Sequence, residues 1–454
     1  MAATAFNAAI HHKSMDLLSK AYASDDEDGD GAAGGRYEHL NSLSYHPPKR
    51  ARPETWFQNP TQMPAFSRPS FHVDAPIPGS YISKRQRAAL ASNQNLTDWN
   101  PAYVDPSPVV GNLSDSHLPH GILTALRRHN KGSVVSNQTS QSLSAALRGH
   151  VKSVNSLQWS KSHVFSAHVL ASAGMDHTVR IWNVWSRGQK QARILNFHHA
   201  AVKDVKWSQQ GLTVLSCGYD CTSRLVDVEK GMEAQVFKED QFVEVVKFCP
   251  DNYNLFLSGG SKGHLKLWDI RTGMVVHEYV RSLGPILDVE FTIDGKYLIT
   301  SSDVSKNNLS ENSIIVWDVS REVPLSNQVY TEAYTCPCIR CHPCEPYFIA
   351  QSNGNYVAIF STRTPFKLDK YKRYEGHGVS GFPIKCNFSL DGNLVASGSS
   401  DGCIYFYDSK TSKLLRKIKA YEHACVDVVF HPSLPDVVAS CSWNGEVSIS
   451  HQRR

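Results

Sequence analysis

The feature that most constrains this chain is an internal repeat of short apolar runs that fills roughly its last two-thirds. Each unit ends in a strand-like segment closed by a residue pair, and the first members of these pairs are Trp182, Val226, Trp268, Trp317, Phe360, Tyr407 and Ser450. They are spaced by 44, 42, 49, 43, 47 and 43 residues. A period of about 40–45 residues with several short strands per unit is typical of a propeller built from four-stranded blades. The seven units therefore predict seven blades.

Within the units, apolar and polar residues alternate over short stretches that are bounded by Gly, Asp and Asn. The first strand of six units shows this alternation most clearly, in VKSVNSLQWS, VKDVKWS, VEVVKFCP, ILDVEFT, CIRCHP and CVDVVFHP. Such alternation is typical of half-buried strands. No amphipathic stretch of helical length separates the strands, which argues against a parallel α/β sheet and predicts an all-β fold. The polar insertion SSDVSKNNLSENS accounts for the longest interval, in unit four.

The units resemble the WD-repeat family in three marks. These are a Gly-His near the start, an Asp in the turn before the third strand, and a terminal Trp-Asp pair. Unit one carries Gly149-His150, Asp176 and Trp182 at these places. The resemblance extends over about 141–454. It implies a seven-bladed WD-repeat β-propeller.

In that family the His, a Ser or Thr of the second strand, the turn Asp and the terminal Trp form a buried hydrogen-bond chain, which ties the outer loop to the inner strands. The resemblance carries this structural role onto ten residues: His150, Ser172, Asp176 and Trp182 in unit one, His198, Ser216 and Asp220 in unit two, and His377, Ser397 and Asp401 in unit six. Unit seven offers His423 and Ser440 for the same places. Units three, four and five lack the turn Asp, so we expect those blades to depend on packing.

Closure of the ring follows from an offset of one strand between the sequence repeat and the blade. We therefore expect Gln141–Arg148 to form the outer strand of the blade built by residues 425–450. That pairing closes the ring and protects an edge that would otherwise be open. Loss of the C-terminal strand is then expected to unfold the ring, whereas loss of residues 1–130 is not.

The first part of the chain has a different composition. Of the 22 prolines, 12 lie in residues 1–140, whereas all 11 cysteines lie after that stretch. The acidic run DDEDGD begins at Asp25. Such a segment buries too little apolar surface to offset a chain entropy of about 1–2 kcal/mol per residue. We predict a disordered N-terminal arm over 1–138 and the propeller over 139–454.

Basic residues in the arm form the stretch PPKRARP, in which Lys49, Arg50 and Arg52 lie between prolines. Importin grooves accept extended basic peptides of this kind, so we predict nuclear targeting. The alternatives are a solvated charge cluster and a cytoplasmic protein. The start of the chain lacks a basic segment followed by a long apolar run, which argues against a secretory signal. The cysteines are then expected to be reduced thiols.

Four cysteines and a histidine fall close together, namely Cys336, Cys338, Cys341, His342 and Cys344. Thiolate and imidazole groups bind zinc and iron–sulfur clusters, so a metal site is one interpretation. Strand register argues against it, because Cys338 and Cys341 fall on opposite faces of a strand and Cys344 follows in the turn. We predict core cysteines and no metal site.

Motifs that fix a catalytic chemistry are absent, including the nucleophile elbow, HExxH, the Walker A loop and the dinucleotide glycine fingerprint. His–Asp–Ser combinations recur with the repeat period, whereas a catalytic triad is expected once. The net charge of +5 is too small to imply nucleic-acid binding, and no apolar run is long enough to span a membrane. We predict no enzyme, no cofactor and no small-molecule substrate. The expected partners are other proteins or peptides that dock on the ring.

A second basic feature lies on the predicted ring, in TRTPFKLDKYKR and SKTSKLLRKIK. Its ten cations, the basic side patch, are Arg363, Lys367, Lys370, Lys372, Arg373, Lys410, Lys413, Arg416, Lys417 and Lys419. Both segments are predicted outer strands, on the neighbouring blades five and six. One hypothesis is a contact with RNA phosphate within a complex, or with an acidic partner. The other, which we favour, is protection of exposed strand edges by lysine.

A finer likeness within the WD-repeat family is carried by QSNGNYVAIFS, KRYEGHGVSG and CSWNG. These stretches are similar to a branch of the family that includes a splicing factor. The likeness implies a non-enzymatic interaction scaffold in a nuclear, spliceosome-related pre-mRNA-processing complex. The competing hypothesis is a substrate receptor of a cullin-type ubiquitin ligase, because Trp268-Asp269-Ile270-Arg271 resembles the Trp-Asp-x-Arg ending of such receptors.

Overall fold

The computed structural model describes seven stretches of the chain: residues 110–114, 141–161, 168–279, 284–303, 314–328, 334–434 and 437–452. The regular elements in these stretches are all β-strands, β1 to β28 in chain order. The all-β prediction is therefore confirmed. No helix in the described stretches is long and apolar enough to cross a membrane.

The first strand, β1, is Gln141–Leu147, and the next twelve strands form three blades. Blade one is β2 (Val154–Trp159), β3 (Val169–Gly174), β4 (Val179–Asn183) and β5 (Gln191–Leu195). Blade two is β6 (Val202–Trp207), β7 (Thr213–Gly218), β8 (Thr222–Asp227) and β9 (Met232–Lys238). Blade three is β10 (Val243–Phe248), β11 (Leu255–Gly260), β12 (Leu265–Asp269) and β13 (Met274–Tyr279).

The remaining strands form four more blades. Blade four is β14 (Ile286–Phe291), β15 (Tyr297–Ser302), β16 (Ile314–Asp318) and β17 (Val323–Gln328). Blade five is β18 (Cys338–Cys341), β19 (Tyr347–Ser352), β20 (Tyr356–Ser361) and β21 (Leu368–Glu375). Blade six is β22 (Cys386–Phe388), β23 (Leu394–Ser397), β24 (Cys403–Asp408) and β25 (Leu414–Lys419). Blade seven takes β26 (Cys425–Phe430), β27 (Val437–Ser442) and β28 (Val447–Gln452), together with β1.

The strands form seven antiparallel sheets of four, and in each sheet neighbouring strands are hydrogen-bonded in chain order except where β1 joins β28. The first strands of successive blades lie side by side, and β2 also contacts β26, so these strands surround the axis of a closed ring. The structure thus confirms the seven-bladed propeller. A repeat of this kind forms a closed ring because each blade can bury its apolar faces only against the neighbouring blades.

The ring closes where β1 adds to β28. Leu147 pairs with Val447, and the ladder runs to Gln141 opposite Gln452. Leu147 is almost fully buried and packs with Trp159 and Trp182 at the seam between blades seven and one. The predicted pairing of the N-terminal strand with the C-terminal strand is confirmed.

A short segment upstream of the ring lies on blade one. The backbone N–H groups of Val110 and Gly111 donate to the Ala192 carbonyl oxygen, at 3.2 and 3.3 Å. Asn183 donates from its side chain to the Asn112 carbonyl oxygen at 3.0 Å, and Leu113 is buried in the blade-one cluster. This segment departs from the predicted disorder of the arm, because one apolar side chain and these hydrogen bonds hold it on β5, the outer strand of blade one. Residues 1–109 and 115–138 lie outside the described residues, and the domain boundary stays a prediction.

Candidate functional site: two rims joined by an axial channel

The ring has two rims, because strand direction alternates within every blade. We call the rim that carries the loops into each first strand, and the turns between second and third strands, the upper rim. The lower rim carries the turns between first and second strands and between third and fourth strands. The first strands line an axial channel between the two. Loops on a rigid ring of this kind are where propellers present binding residues.

Blade one holds a complete hydrogen-bond chain on the upper rim. His150 donates from Nδ1 to Asp176 at 2.9 Å, and its Nε2 accepts from the Ser172 hydroxyl at 2.7 Å. Trp182 donates from Nε1 to the Ser172 oxygen at 2.8 Å. Asp176 also accepts from the Thr178 hydroxyl at 2.8 Å. The structure therefore brings together the four residues predicted for unit one.

Ionisation of this group is fixed by its surroundings. Burial lowers the pKa of His150 more than the adjacent Asp176 raises it, so the imidazole is neutral. Burial acts in the opposite direction on Asp176, but hydrogen bonds from His150, from Thr178 and from the backbone of Val151 lower its pKa to about 2. A neutral histidine can both donate and accept a hydrogen bond, and in this way His150 links the loop to the second strand.

Blade two repeats the arrangement without the tryptophan. His198 Nδ1 lies 2.9 Å from the Asp220 carboxylate, and Nε2 lies 2.8 Å from the Ser216 hydroxyl. Burial opposes charge on Asp220, but hydrogen bonds from His198 and Thr222 hold its pKa below the usual range. Val226 occupies the tryptophan position and is buried.

Blade six departs from the prediction, which linked His377 to Asp401 and Ser397. His377 Nδ1 instead lies 2.9 Å from the Tyr407 hydroxyl, and its Nε2 lies 2.7 Å from the Gln351 amide nitrogen. The reason is that Tyr407 replaces tryptophan and brings a hydroxyl that reaches the histidine, while Gln351 of blade five fills the place of the serine. Ser397 donates to Gln351 at 3.2 Å and so stays in the group.

Asp401 is not hydrogen-bonded to His377 and has other partners. Its carboxylate accepts from Lys417 Nζ at 2.8 Å and from the Tyr405 hydroxyl at 3.0 Å. The predicted link between His377 and Asp401 was therefore wrong.

Blade seven is also corrected. His423 is exposed, and Tyr421 takes its place, with its hydroxyl 2.8 Å from the Ser440 hydroxyl and 2.6 Å from that of Ser448. In blade three, Trp268 keeps its hydrogen bond to Ser258 at 2.9 Å although the turn Asp is missing.

Sequence reasoning missed a set of charges in the axial channel. Asp204, Asp288 and Asp427 occupy the same place in the first strands of blades two, four and seven, where each follows a β-bulge. Each carboxylate accepts a backbone N–H from the first strand of the next blade: from Val246 at 3.5 Å, from Ile339 at 2.8 Å and from Leu157 at 2.9 Å. The shared third-position Asp in VKDVKW, ILDVEF and CVDVVF is the signal that identifies these residues.

Cations balance these carboxylates along the channel. Lys206 Nζ lies 2.6 Å from Asp204, and Arg340 Nη1 lies 2.6 Å from Asp288. Burial opposes charge on Asp204, but Lys206 and Lys385 hold its pKa below the usual range. The pair of Arg340 and Asp288 joins blades five and four. Removal of one partner from a buried ion pair costs several kcal/mol, so this pair helps to fix the two blades relative to each other.

The channel opens at the lower rim into a cavity of about 340 Å³. Lys161, Lys206, Lys247 and Arg340 line it, and Glu290 is the one carboxylate among its described lining residues. This lower mouth therefore places four cations next to apolar side chains of the first strands and of the turns that follow them.

The cysteine cluster is divided by the sheet of blade five. Cys336 packs in the apolar cluster between blades four and five, with Cys341 against it, whereas Cys338 packs in the cluster between blades five and six. His342 uses both ring nitrogens, because Nδ1 accepts from the Glu345 backbone at 2.7 Å and Nε2 donates to the Gly392 carbonyl oxygen at 3.0 Å. Burial raises the pKa of the Cys341 thiol well above its usual range. Among the described residues, no group of three or more His, Cys, Asp or Glu residues is arranged to hold a metal ion.

Six cations of the basic side patch lie on β21 and β25, the outer strands of blades five and six. The other four, Arg363, Lys367, Lys410 and Lys413, lie in the turns that precede these strands. Lys372 donates to the Lys410 carbonyl oxygen at 3.3 Å, which links β21 to the turn before β25. Several of its cations have other contacts, since Arg416 stacks on Phe406 at 4.6 Å and Lys417 pairs with Asp401.

Two other predicted motifs have different outcomes. Lys49, Arg50 and Arg52 lie outside the described residues. In the Trp-Asp-x-Arg stretch, Arg271 is exposed on the lower rim, and its guanidinium donates to Asp269 at 2.8 Å.

Comparisons with known proteins agree with this architecture. A family model, the WD domain G-beta repeat (WD40), matches residues 141–183, 189–227 and 369–408. These are units one, two and six, which are the units that carry the histidine motifs.

Relatives extend the comparison. The chain is 38% identical to WD repeat-containing protein 25 of Mus musculus over 306 residues, which cover 67% of this chain and 57% of that protein. It is 30% identical to pre-mRNA-processing factor 17 of Homo sapiens over 303 residues, 66% of this chain and 50% of that protein. The factor of the same name from Saccharomyces cerevisiae is 27% identical over 288 residues, 63% of this chain and 62% of that protein.

The aligned part therefore spans only about half to three-fifths of these relatives' own lengths. With seven four-stranded blades, a closing strand pair and matched WD40 repeats, the chain is a seven-bladed β-propeller with WD40 repeats that is similar to pre-mRNA-processing factor 17.

Proposed function

We propose that the chain is a non-enzymatic scaffold that binds other proteins or peptides within a nuclear, pre-mRNA-processing complex. The observation that carries this proposal is that the ring buries its His–Asp–Ser groups and exposes other charged and apolar side chains. The His–Asp–Ser groups are buried and bracket the loops, whereas the exposed charged and apolar side chains lie at the rims and on the outer strands.

Enzymatic use of the histidine groups is disfavoured by their hydrogen bonds. Ser172 accepts from Trp182 while it faces His150, and all three side chains are buried, so no substrate atom reaches the hydroxyl. The same geometry returns in blade two, as expected for a repeated structural device.

The pre-mRNA-processing context is supported by two separate features. One is the identity of 30% to a human protein whose name is pre-mRNA-processing factor 17. The other is the basic stretch with Lys49, Arg50 and Arg52, which has the form of a nuclear-targeting peptide. A reporter fused to residues 40–60 tests targeting, since a diffuse reporter contradicts it.

Affinity purification of the tagged full chain, after nuclease treatment and followed by mass spectrometry, tests the scaffold role. Enrichment of splicing proteins supports the proposal. Enrichment of a cullin adaptor instead supports the ubiquitin-ligase hypothesis, for which the exposed Arg271 is the specific residue. Arg271→Ala is the matched variant: it removes a cullin adaptor under that hypothesis and leaves splicing partners in place under ours.

A further inference from the structure

The lower mouth of the channel combines a basic floor with an apolar collar. The floor is Lys161, Lys206, Lys247 and Arg340, with Glu290 as its one described carboxylate. The collar consists of side chains at the tips of lower-rim turns, namely Tyr253, Ile293 and Leu390, which are 51%, 59% and 63% exposed. Ile293 and Leu390 line this cavity, and Tyr253 lines a second cavity that shares Ile293. Exposed large apolar side chains grouped in this way mark a binding surface more often than a bare solvent face.

Ion pairs hold the floor in place without using all of its donors. Lys206 pairs with Asp204 below the floor, and Lys247 pairs with Glu290 at 2.6 Å. A lysine ammonium has three N–H donors, so each of these lysines keeps donors for a ligand. The cations are therefore fixed in position before anything binds, which lowers the entropy cost of binding.

Lys206, Lys247 and Arg340 each have a carboxylate partner, so the net positive charge of the floor comes from Lys161. Lys161 has no carboxylate within ion-pair distance in the part of the chain that the structure describes. Desolvation and the neighbouring Lys247 lower the pKa of Lys161. Burial also lowers the pKa of Lys206, with Lys385, Lys247 and Arg340 acting in the same direction against Asp204. An anion bound at the mouth relieves this repulsion.

We propose that the lower mouth is a docking site for a peptide that places an Asp or Glu carboxylate on the basic floor and its flanking apolar side chains on the collar. This inference rests on the proposed scaffold function and names the chemistry of one partner. The cavity of about 340 Å³ has room for a few side chains.

A peptide fits the mouth better than a nucleic acid does. Tyr253 is the one aromatic residue of the collar, since Ile293 and Leu390 are aliphatic. The collar therefore lacks the succession of exposed aromatic rings on which single-stranded nucleic acids stack. The floor is also enclosed by the collar, while a phosphate backbone needs an open basic track. An acidic residue flanked by apolar residues satisfies both parts of the site at once.

Selection from a phage-displayed library of random peptides on the immobilised full chain tests the inference. The lower-rim variant is Ile293→Asp with Leu390→Asp, and the matched control is Phe242→Asp with Tyr371→Asp. All four positions are exposed, so neither double variant is expected to unfold the ring, and both add the same charge. Thermal melting of each variant checks this directly.

We expect the wild-type ring and the control to enrich peptides that carry Asp or Glu beside apolar residues, and the lower-rim variant to lose them. Lys161→Glu should weaken the enriched peptides about tenfold, with the greatest effect at low salt. The inference is overturned if no peptide is enriched on the wild type, if the lower-rim variant keeps the enriched peptides, or if those peptides lack acidic residues.

The outcome is separable from that of the scaffold proposal. If the purified wild-type chain retains splicing partners and the peptide selection fails, the docking inference falls and the scaffold function stands. If the selection succeeds and no splicing protein is purified, the mouth binds acidic peptides and the pre-mRNA-processing context falls.

Discussion

His168 Nδ1 and His431 Nε2 lie 3.0 Å apart across the seam between blades one and seven. Nδ1 of His431 accepts from the backbone N–H groups of Ser433 and Leu434, at 3.0 and 3.1 Å. The proton of His431 is therefore on Nε2, from which it donates to His168. The ring of His431 also packs against Trp159, with 4.6 Å between centroids. One side chain thus caps a turn and links the first blade to the last.

Replacement of this side chain tests its share in closure. His431→Ala removes the acceptor of two backbone donors and one hydrogen bond of His168, so we expect the free energy of unfolding to fall by about 2–3 kcal/mol in urea denaturation. His431→Asn offers an oxygen near the Nδ1 position and should recover part of the loss. His423→Ala, at an exposed position, is the control, and an equal effect of both alanine variants would contradict the assignment.

Two truncations separate the docked segment from the rest of the arm. Deletion of residues 1–109 should leave the free energy of unfolding unchanged, because it keeps the described contacts of residues 110–114 with blade one. Deletion of residues 1–114 also removes the burial of Leu113 and its neighbouring hydrogen bonds, and should cost about 1–2 kcal/mol. Leu113→Ser in the full chain should give a similar loss. Identical stability of the two truncations would show that the segment does not hold to blade one in solution.

The pH dependence of stability follows from His377. Burial, opposed by Asp401, lowers the pKa of this histidine from 6.5 to about 4. Below pH 6.5 the unfolded chain takes up a proton that the folded ring refuses, so stability falls as pH decreases from about 6.5 to 4. The loss is on the order of 3 kcal/mol. In chemical denaturation at several pH values, His377→Gln should reduce this slope and leave the part that comes from the buried His150, whereas His423→Gln should keep the slope in full. A slope that is unchanged in His377→Gln would contradict the assignment.

Two aspartates at equivalent places in the repeat should respond differently. The Asp176 side chain is 4% exposed and accepts hydrogen bonds from His150 and Thr178, whereas the Asp401 side chain is 39% exposed and faces Lys417. Asp176→Asn should therefore cost about 2–3 kcal/mol, and Asp401→Asn about 1 kcal/mol or less. Thermal and urea denaturation of both variants measure the difference. Equal free-energy costs would contradict this difference and would indicate that the two aspartates have the same role, as the sequence motif suggests.

The contrast between these aspartates shows what can be predicted from such a sequence. Blade number, closure by β1 and the hydrogen-bond chain of blade one follow from local spacing, because each depends on residues within one unit or on the fixed offset between units. Blade six could not be predicted in the same way. Its histidine binds Gln351, which belongs to the neighbouring blade and lies in no recognised motif position.

The docking of Leu113 and the role of the channel aspartates could not be predicted from the sequence for a different physical reason. A single apolar residue in a proline-rich segment forms no periodic pattern, so burial of Leu113 has no signal in the sequence. Asp204, Asp288 and Asp427 do share a position, but their role depends on backbone N–H groups of adjacent blades, which only the closed ring brings near.

The two hypotheses for the basic side patch differ in whether its charge has to be positive. Lys370 and Lys372 flank Tyr371 on the edge strand β21, and Tyr371 is 98% exposed. If the lysines protect the edge, any charge at these positions opposes pairing between strand edges. The double variant Lys370→Val with Lys372→Val should then associate in a concentration-dependent way in light scattering. The double variant Lys370→Glu with Lys372→Glu should remain monodisperse. If the lysines contact RNA, the glutamate variant should lose salt-dependent RNA binding in a filter assay. We expect the valine variant to associate and the glutamate variant to behave as the wild type in both assays. Loss of RNA binding in the glutamate variant would assign the patch to RNA instead.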